Sequence, residues 1–168
     1  MARERLTNAM VREGDSAPEF TAPLATQDDV DEVTLSDELG DGPVVLAFFP
    51  GAFTSVCEDE MCEFRDALAD FESLDASVYG VSVDGPFAQQ AFADDNDLNF
   101  GLVSDFDRSI IADYDVVLES LAGIYGPVAK RSVFVIDNDG AVTYSWVSDD
   151  PGVLPDFDEV RAAVEEAA

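Results

Sequence analysis

The 168-residue sequence contains no histidine, only two cysteines and a single lysine, Lys130. Without histidine, the chain cannot build a Ser-His or Cys-His nucleophile pair or an imidazole metal site. Two cysteines cannot supply a four-thiolate zinc site within one chain. The sequence also lacks GxGxxG and GxxxxGK[ST], which excludes nucleotide binding by those loops. We therefore expect no metal and no cofactor.

Positive charge is scarce: eight Lys and Arg face 37 Asp and Glu, which gives a net charge of −29. Nucleic acid and anionic membranes are poor partners for such a surface. The acids indicate either a protein that binds cations or basic partners, or a halophilic protein in molar salt, where the Debye length falls to ~3 Å. Because the acids are spread along the chain instead of forming a tail, we favour the halophilic interpretation.

Long hydrophobic runs are also absent, since no apolar stretch approaches the 18 or so residues of a membrane span. The first residues carry charges but no apolar signal segment, so we expect a cytoplasmic protein with free thiols. With 47% hydrophobic residues the chain is long enough for one packed domain. We predict a flexible N-terminal extension over residues 1–13 and a single domain over 14–168.

Apolar runs and helical spacings alternate along the chain. The last two predicted strands flank Asn138-Asp139-Gly140, which is typical of a hairpin. This alternation predicts a three-layer α/β fold with a central mixed sheet flanked by helices. Strands are expected near 20–24, 32–35, 44–49, 77–84, 100–105, 132–137 and 141–147, and helices from 55 onward and near 87–95, 108–114 and 157–168.

The two cysteines, Cys57 and Cys62, lie five residues apart in the first predicted helix. Free cysteines are often buried as small hydrophobic residues, and this interpretation suits Cys62, next to Met61. Cys57 instead falls in the first helical turn, where unpaired N–H groups and the helix dipole stabilise a thiolate.

Three acids at 58–60 crowd the same turn and disfavour a negative sulfur. A reactive Cys57 therefore needs a nearby cation. Arg65 lies too far along the same helix to reach its start. Arg131, at the beginning of a predicted strand, is the better candidate, although an ordinary solvated strand end would look the same.

These residues form a known pattern. Pro50, Thr54 and Cys57 give P-x-x-x-T-x-x-C after an apolar strand, and Arg131 opens RSVFVID. The chain resembles the peroxiredoxins, over GDSAPEFTAPL, VVLAFFPGAFT, VYGVSVD and FGLVSDFD in order. The resemblance runs from about residue 14 to the C-terminal helix. It is closest to the bacterioferritin-comigratory and alkyl hydroperoxide reductase E types.

The resemblance implies a thioredoxin-like fold and a thiol-dependent peroxidase with an antioxidant role, acting on hydrogen peroxide and organic hydroperoxides. In that family Cys57 would be the nucleophile, Thr54 would bond sulfur and peroxide, Arg131 would polarise the O–O bond and Pro50 would shield the sulfur. The expected partners are the peroxide, a thioredoxin- or glutaredoxin-like thiol reductant and, in a homodimer, a second copy.

The role of Cys62 has two interpretations. Five residues along a helix separate two Cα atoms by roughly 8.7 Å, beyond the ~7 Å limit for a disulfide. If Cys62 resolves oxidised Cys57, the first turns must therefore unwind. Otherwise Cys62 is a core residue and an external thiol reduces Cys57.

Two other functions remain open at this point. A thioredoxin-like disulfide reductase would need C-x-x-C, whereas this chain has C-x-x-x-x-C. A redox-inert binding protein on the same fold would not need Pro50, Thr54, Cys57 and Arg131 together.

Overall fold

The computed structural model describes residues 11–52 and 55–168. Residues 1–10 of the predicted extension and Thr54 lie outside the described residues. The strands are β1 Thr21–Ala25, β2 Val30–Thr34, β3 Val44–Phe48, β4 Ser77–Ser82, β5 Gly101–Ser104, β6 Val117–Leu118, β7 Val128–Ala129, β8 Ser132–Ile136 and β9 Val142–Val147. The helices are α1 Ser55–Glu72, α2 Pro86–Asp95, α3 Ser109–Asp113 and α4 Phe157–Ala167, with a 3₁₀ turn at Leu35–Glu38.

The main sheet in the described part of the chain has seven strands in the order β2-β1-β5-β4-β3-β8-β9. The central strands β3, β4 and β5 run parallel, whereas the pairings of β1 with β5 and β2, and of β8 with β3 and β9, are antiparallel. The predicted mixed sheet flanked by helices is confirmed, and β8 and β9 form the predicted hairpin.

Side chains alternate between two core clusters on the faces of the sheet, as the period of a strand requires. Along β8, Val133 and Val135 enter the cluster with the apolar faces of α1, α2 and α4. Phe134 and Ile136 enter the other cluster, which includes the buried residues of α3. Among the described residues, no helix is both long and apolar enough to cross a membrane.

The shortest elements of the structure are not predicted by the sequence patterns. The two-residue strands β6 and β7 pair with each other in a stretch without apolar alternation, and the 3₁₀ turn is only four residues long. Val11, within the predicted 1–13 extension, is 8% exposed and packs into the core. Packing against the domain therefore begins before residue 14.

The pairing of β3 with β8 positions the site. Because the two strands are antiparallel, Phe48 at the end of β3 lies opposite Ser132 at the start of β8. Residue 131 is therefore brought beside the loop that leads from β3 into α1. The sheet register thus joins two segments that are far apart in sequence.

Candidate active site

The loop from β3 to α1 places Cys57 at the edge of the sheet where the parallel strands have their carboxyl ends. Phe49 and Pro50 are buried directly after β3, and α1 begins at Ser55. Cys57 is therefore in the first turn of α1, as the sequence predicts, and its side chain is fully buried. Backbone N–H groups without helical partners surround this turn and favour negative charge on the sulfur.

Arg131 lies against Cys57. Its Nη2 donates to Cys57 Sγ at 3.1 Å, and its Nε donates to the carbonyl oxygen of Pro151 at 2.9 Å. The arginine is 1% exposed, so its charge acts on the sulfur with little screening by water. The structure therefore supplies the cation that the acid-rich turn needs.

Glu60 is the third member of this buried cluster, and sequence reasoning missed it. Arg131 Nη1 donates to Glu60 Oε1 at 2.6 Å, while Glu60 Oε2 has no hydrogen-bond partner among the described residues. Glu60 lies three residues after Cys57, and this spacing places both on one face of a helix. That spacing is the signal that could have identified it as the partner of Arg131 instead of a repelling acid.

Burial raises the pKa of Glu60 to about 7, against the opposing effect of the Arg131 charge. Burial acts to lower the pKa of Arg131, but Glu60 and Cys57 more than offset this and raise it. Arg131 therefore stays charged, while Glu60 exchanges its proton near neutral pH. The net charge beside the sulfur depends on that proton.

The other acids of the turn are directed toward water. Glu58 is partly exposed and Asp59 is exposed, so solvent weakens their repulsion of Cys57. Arg65 donates from Nε to Asp66 at 2.9 Å and from Nη1 to the Asn96 carbonyl at 2.8 Å. Arg65 therefore makes its contacts away from the start of α1 and Cys57, as its position in the sequence indicates.

Cys62 is partly exposed and does not enter the core with its neighbours Met61 and Phe64. Its Sγ lies 3.8 Å from Asn96 Oδ1, and both cysteines are free thiols. Burial raises the pKa of Cys62, and the nearby Arg65 only partly opposes this. Cys62 is therefore a neutral thiol at the edge of the helix, reachable from outside.

Of the predicted site residues, the structure brings together Cys57 and Arg131, and places Pro50 buried in the preceding loop. Thr54 lies outside the described residues, so its predicted contacts stay a prediction. No cluster of three or more potential ligand side chains is arranged to hold a metal ion within 11–52 and 55–168.

Comparison with known proteins identifies the family of this chain. The AhpC/TSA family matches residues 13–145. Peroxiredoxin-2 of Bos taurus is 37% identical over 145 residues, which cover 82% of this chain and 70% of the bovine protein. The chain is a peroxiredoxin of the AhpC/TSA family. The family resemblance seen in the sequence is confirmed.

Solved structures agree with this peroxiredoxin in fold. Peroxidoxin BcpB from Mycobacterium tuberculosis has a TM-score of 0.79 at 33% identity, covering 94% of this chain and 99% of its own. The reduced 2-Cys peroxiredoxin of Plasmodium vivax has a TM-score of 0.80 at 28% identity, covering 93% and 96%. The predicted thioredoxin-like fold is therefore confirmed.

Some relatives are much longer. The chloroplastic 2-Cys peroxiredoxin BAS1 of Spinacia oleracea is 34% identical over 142 residues, which are 80% of this chain but only 52% of the spinach protein. This peroxiredoxin thus spans about half the length of that relative.

Proposed function

We propose that this peroxiredoxin is a thiol-dependent peroxidase that reduces hydrogen peroxide and organic hydroperoxides, with Cys57 as the nucleophile and an antioxidant role. The contact of Arg131 Nη2 with Cys57 Sγ, 3.1 Å in a buried site, carries the proposal. A guanidinium bonded to sulfur favours the thiolate, which is the reactive form. Imidazole is not required, because the sulfur needs no base once it is ionised.

The Cys57 thiolate attacks one oxygen of the peroxide, forming an S–O bond as the O–O bond breaks. The sulfur is oxidised to a sulfenic acid and the peroxide is reduced. The leaving oxygen departs as hydroxide or alkoxide and takes a proton to give water or alcohol. Arg131 and the first-turn N–H groups stabilise the negative charge that moves from sulfur to oxygen.

Pro50 and Thr54 complete the proposed site. Pro50 is buried in the loop before Cys57, where it would keep bulk water from the sulfur and so limit over-oxidation. Thr54 precedes Cys57 by three residues, and its hydroxyl would bond the sulfur and the bound peroxide.

We assign the resolving step to Cys62, which favours the bacterioferritin-comigratory type. Cys62 is partly exposed, and its thiol would attack the sulfenic sulfur to give a disulfide and water. Because both cysteines lie in one regular helix, the first turns of α1 must unwind before they can pair. After one equivalent of peroxide, peptide mass spectrometry should find a Cys57–Cys62 disulfide with loss of helical signal. A lasting Cys57 sulfenic acid with free Cys62 would instead show that an external thiol completes the cycle.

The proposed partners are a thioredoxin- or glutaredoxin-like reductant for the disulfide and a second copy of this chain. Loops after β4 and β5 meet at one edge because these strands are parallel, and Arg108 Nε bonds the Pro127 carbonyl to bring a third loop there. Large apolar side chains exposed on these loops and at the start of α2 support a homodimer at this edge: Phe87, Phe106, Ile124 and Tyr125. Sedimentation of the Ile124→Asp variant tests this, since it should shift the protein toward monomer.

We also propose that the protein works in a salt-rich cytoplasm. The net charge of −29 and the free thiols support this setting. Molar salt would screen the repulsion among the acids, and a reducing compartment would return the disulfide to thiols.

One experiment tests the function: peroxide consumption by the pre-reduced protein with a dithiol in excess. The wild-type protein should turn over, Cys57→Ser should be inactive, and Cys62→Ser should still complete one oxidation of Cys57. A wild-type protein that exchanges disulfides but leaves peroxide untouched would be a disulfide reductase. A protein that neither consumes peroxide nor exchanges disulfides would be redox-inert.

A further inference from the structure

The loop that leads to Cys57 is held from the neighbouring strand. The backbone N–H of Ala52 donates to Asp84 Oδ2 at 2.8 Å. Because β3 and β4 are parallel, Asp84, just after β4, lies at the same edge as the loop that follows β3. Ala52 also packs against the cluster that contains Cys57. The bond to Asp84 therefore fixes the backbone from which the catalytic turn starts.

Asp84 is itself held by a directed chain of hydrogen bonds from two buried side chains. Gln89 Nε2 donates to the Val103 carbonyl and to Ser82 Oγ, both at 2.9 Å, and Ser82 Oγ donates to Asp84 Oδ2 at 2.7 Å. The Val103 carbonyl accepts only, which fixes the amide orientation of Gln89 and leaves the Ser82 proton for Asp84. Ser82 and Gln89 are fully buried. The carboxylate is thus aimed at Ala52 by three residues on two strands and a helix.

The arrangement leaves one polar atom unsatisfied. Gln89 Oε1 is buried and has no hydrogen-bond partner among the described residues. Burying such an atom without a partner is unfavourable. The hydrogen bonds of Gln89 therefore run through its amide nitrogen, and the chain that they begin ends at the loop of Cys57.

The far end of the same segment touches the second thiol. Asn96, the C-cap of α2, accepts from Cys62 Sγ through its side chain and from Arg65 through its carbonyl. The segment from Asp84 to Asn96 thus contacts the loop before α1 at Ala52 and α1 itself at Cys62 and Arg65, one contact region on each side of Cys57 in the sequence. It is placed to set how readily the intervening turns unwind.

We propose that Asp84 is a positioning residue that holds the loop before Cys57 in its peroxide-reactive arrangement and restrains the unwinding that lets Cys57 reach Cys62. This inference rests on the proposed peroxidase function and deepens it. Asp84 does not touch the reacting atoms: it acts through Ala52, whose displacement would move Cys57 away from Arg131.

Asp84→Ala should therefore slow the reaction of Cys57 with peroxide by ~10-fold or more, the usual effect of losing a hydrogen bond to a charged acceptor. The same change should raise the ratio of disulfide to sulfinic acid, because the oxidised turn unwinds more readily. Asp84→Asn keeps the shape and one acceptor oxygen, so its effects should lie between those of Asp84→Ala and wild type. Exposed Asp95, on α2, gives a control of equal charge change, Asp95→Ala.

Single-turnover oxidation of the four reduced proteins can be followed by the fluorescence of Trp146, the single tryptophan, which packs against the cluster that contains Cys57. Mass spectrometry gives the product ratio, and amide hydrogen exchange gives the protection of Ala52 without any peroxide. We expect slower oxidation, a higher disulfide ratio and faster Ala52 exchange in Asp84→Ala, smaller changes of the same kind in Asp84→Asn, and none in Asp95→Ala.

Two results would overturn the inference. One is an Asp84→Ala protein that reacts and exchanges like Asp95→Ala. The other is slower oxidation with an unchanged product ratio and a matching fall in melting temperature, which a purely structural role would give. If Asp84→Ala does not fold, Asp84→Asn and Ser82→Ala take its place under the same criteria. An inert wild type would refute the peroxidase proposal instead, while Ala52 exchange would still report on the restraint.

Discussion

Replacing Arg131 by methionine separates its proposed catalytic role from its structural one. The guanidinium bonds Cys57 Sγ and Glu60 Oε1 in a buried site, and it also bonds the Pro151 carbonyl. Methionine fills a similar volume but supplies neither charge nor donors. We therefore expect Arg131→Met to fold and to lose peroxidase activity.

The expected loss of rate follows from the donor that stabilises the moving charge. Removing one such preorganised donor typically costs about 10²–10³-fold in rate. Stability should respond differently, because Glu60 loses its partner. With a pKa of about 7 beside Arg131, Glu60 would stay protonated to higher pH without it. The destabilisation should thus be about 1 kcal/mol near pH 6, from lost hydrogen bonds. It should approach about 3–5 kcal/mol near pH 9, where the buried acid has no counter-charge.

A double variant completes the test. Glu60→Met in the Arg131→Met background removes the orphaned carboxyl, so the pH-dependent part of the destabilisation should vanish while the rate stays low. Lys130→Met is the matched control: this neighbouring cation pairs with Asp149 at the surface, and its loss should change neither quantity much. Stopped-flow peroxide reaction and thermal melts give the two readouts. If the double variant regains its rate along with its stability, Arg131 acts only through folding and our site assignment is wrong.

Three further predictions concern stability. Because the pKa of the Glu60 carboxyl is raised from 4.5 to about 7, its contribution to stability is complete below pH 4.5 and is lost as pH rises through about 7. The unfolding free energy of wild type relative to Glu60→Gln should therefore fall by about 3 kcal/mol over that pH window. Equal slopes of unfolding free energy against pH in the two proteins would contradict this. Asp156 caps α4 by accepting from the N–H groups of Asp158 and Glu159, so Asp156→Ala should cost about 1 kcal/mol in urea melts without slowing peroxide reduction. With −29 charges, the melting temperature should rise steeply from about 0.1 M to a few molar KCl, and a flat curve would favour a specific cationic partner instead.

Much of the site was predictable because its signals are local. An apolar strand, a proline and a helix start place Cys57 in a first turn by sequence alone. Arg131 was predictable as the start of an apolar strand and as the cation that three neighbouring acids require. Its 3.1 Å contact with Cys57 needed the sheet register, because 74 residues separate the two.

The missed residues depend on long-range geometry. Glu60 was interpreted as one of three repelling acids, since composition cannot show which of them turns inward to Arg131. Asp84 ends a predicted strand like many polar residues, and only the parallel pairing of β3 with β4 brings it to Ala52. A single sequence contains the spacing of Glu60 from Cys57 but not the strand order that gives Asp84 its contact.

The charged groups of this protein lie partly at the surface and partly in the buried site beside Cys57, and salt should affect the two groups differently. The acids of the surface repel one another through water, where molar salt shortens the Debye length to ~3 Å. Arg131 and Glu60 are 1% and 0% exposed, so ions cannot enter between them and the sulfur. Hydrogen peroxide is uncharged and gains nothing from electrostatic steering. The rate of Cys57 oxidation by hydrogen peroxide should therefore stay nearly constant, within about twofold, over the salt range in which the melting temperature climbs, provided the protein is folded at each point. A rate that rises in step with stability would show that the loop before Cys57, and not the buried cluster, limits the reaction.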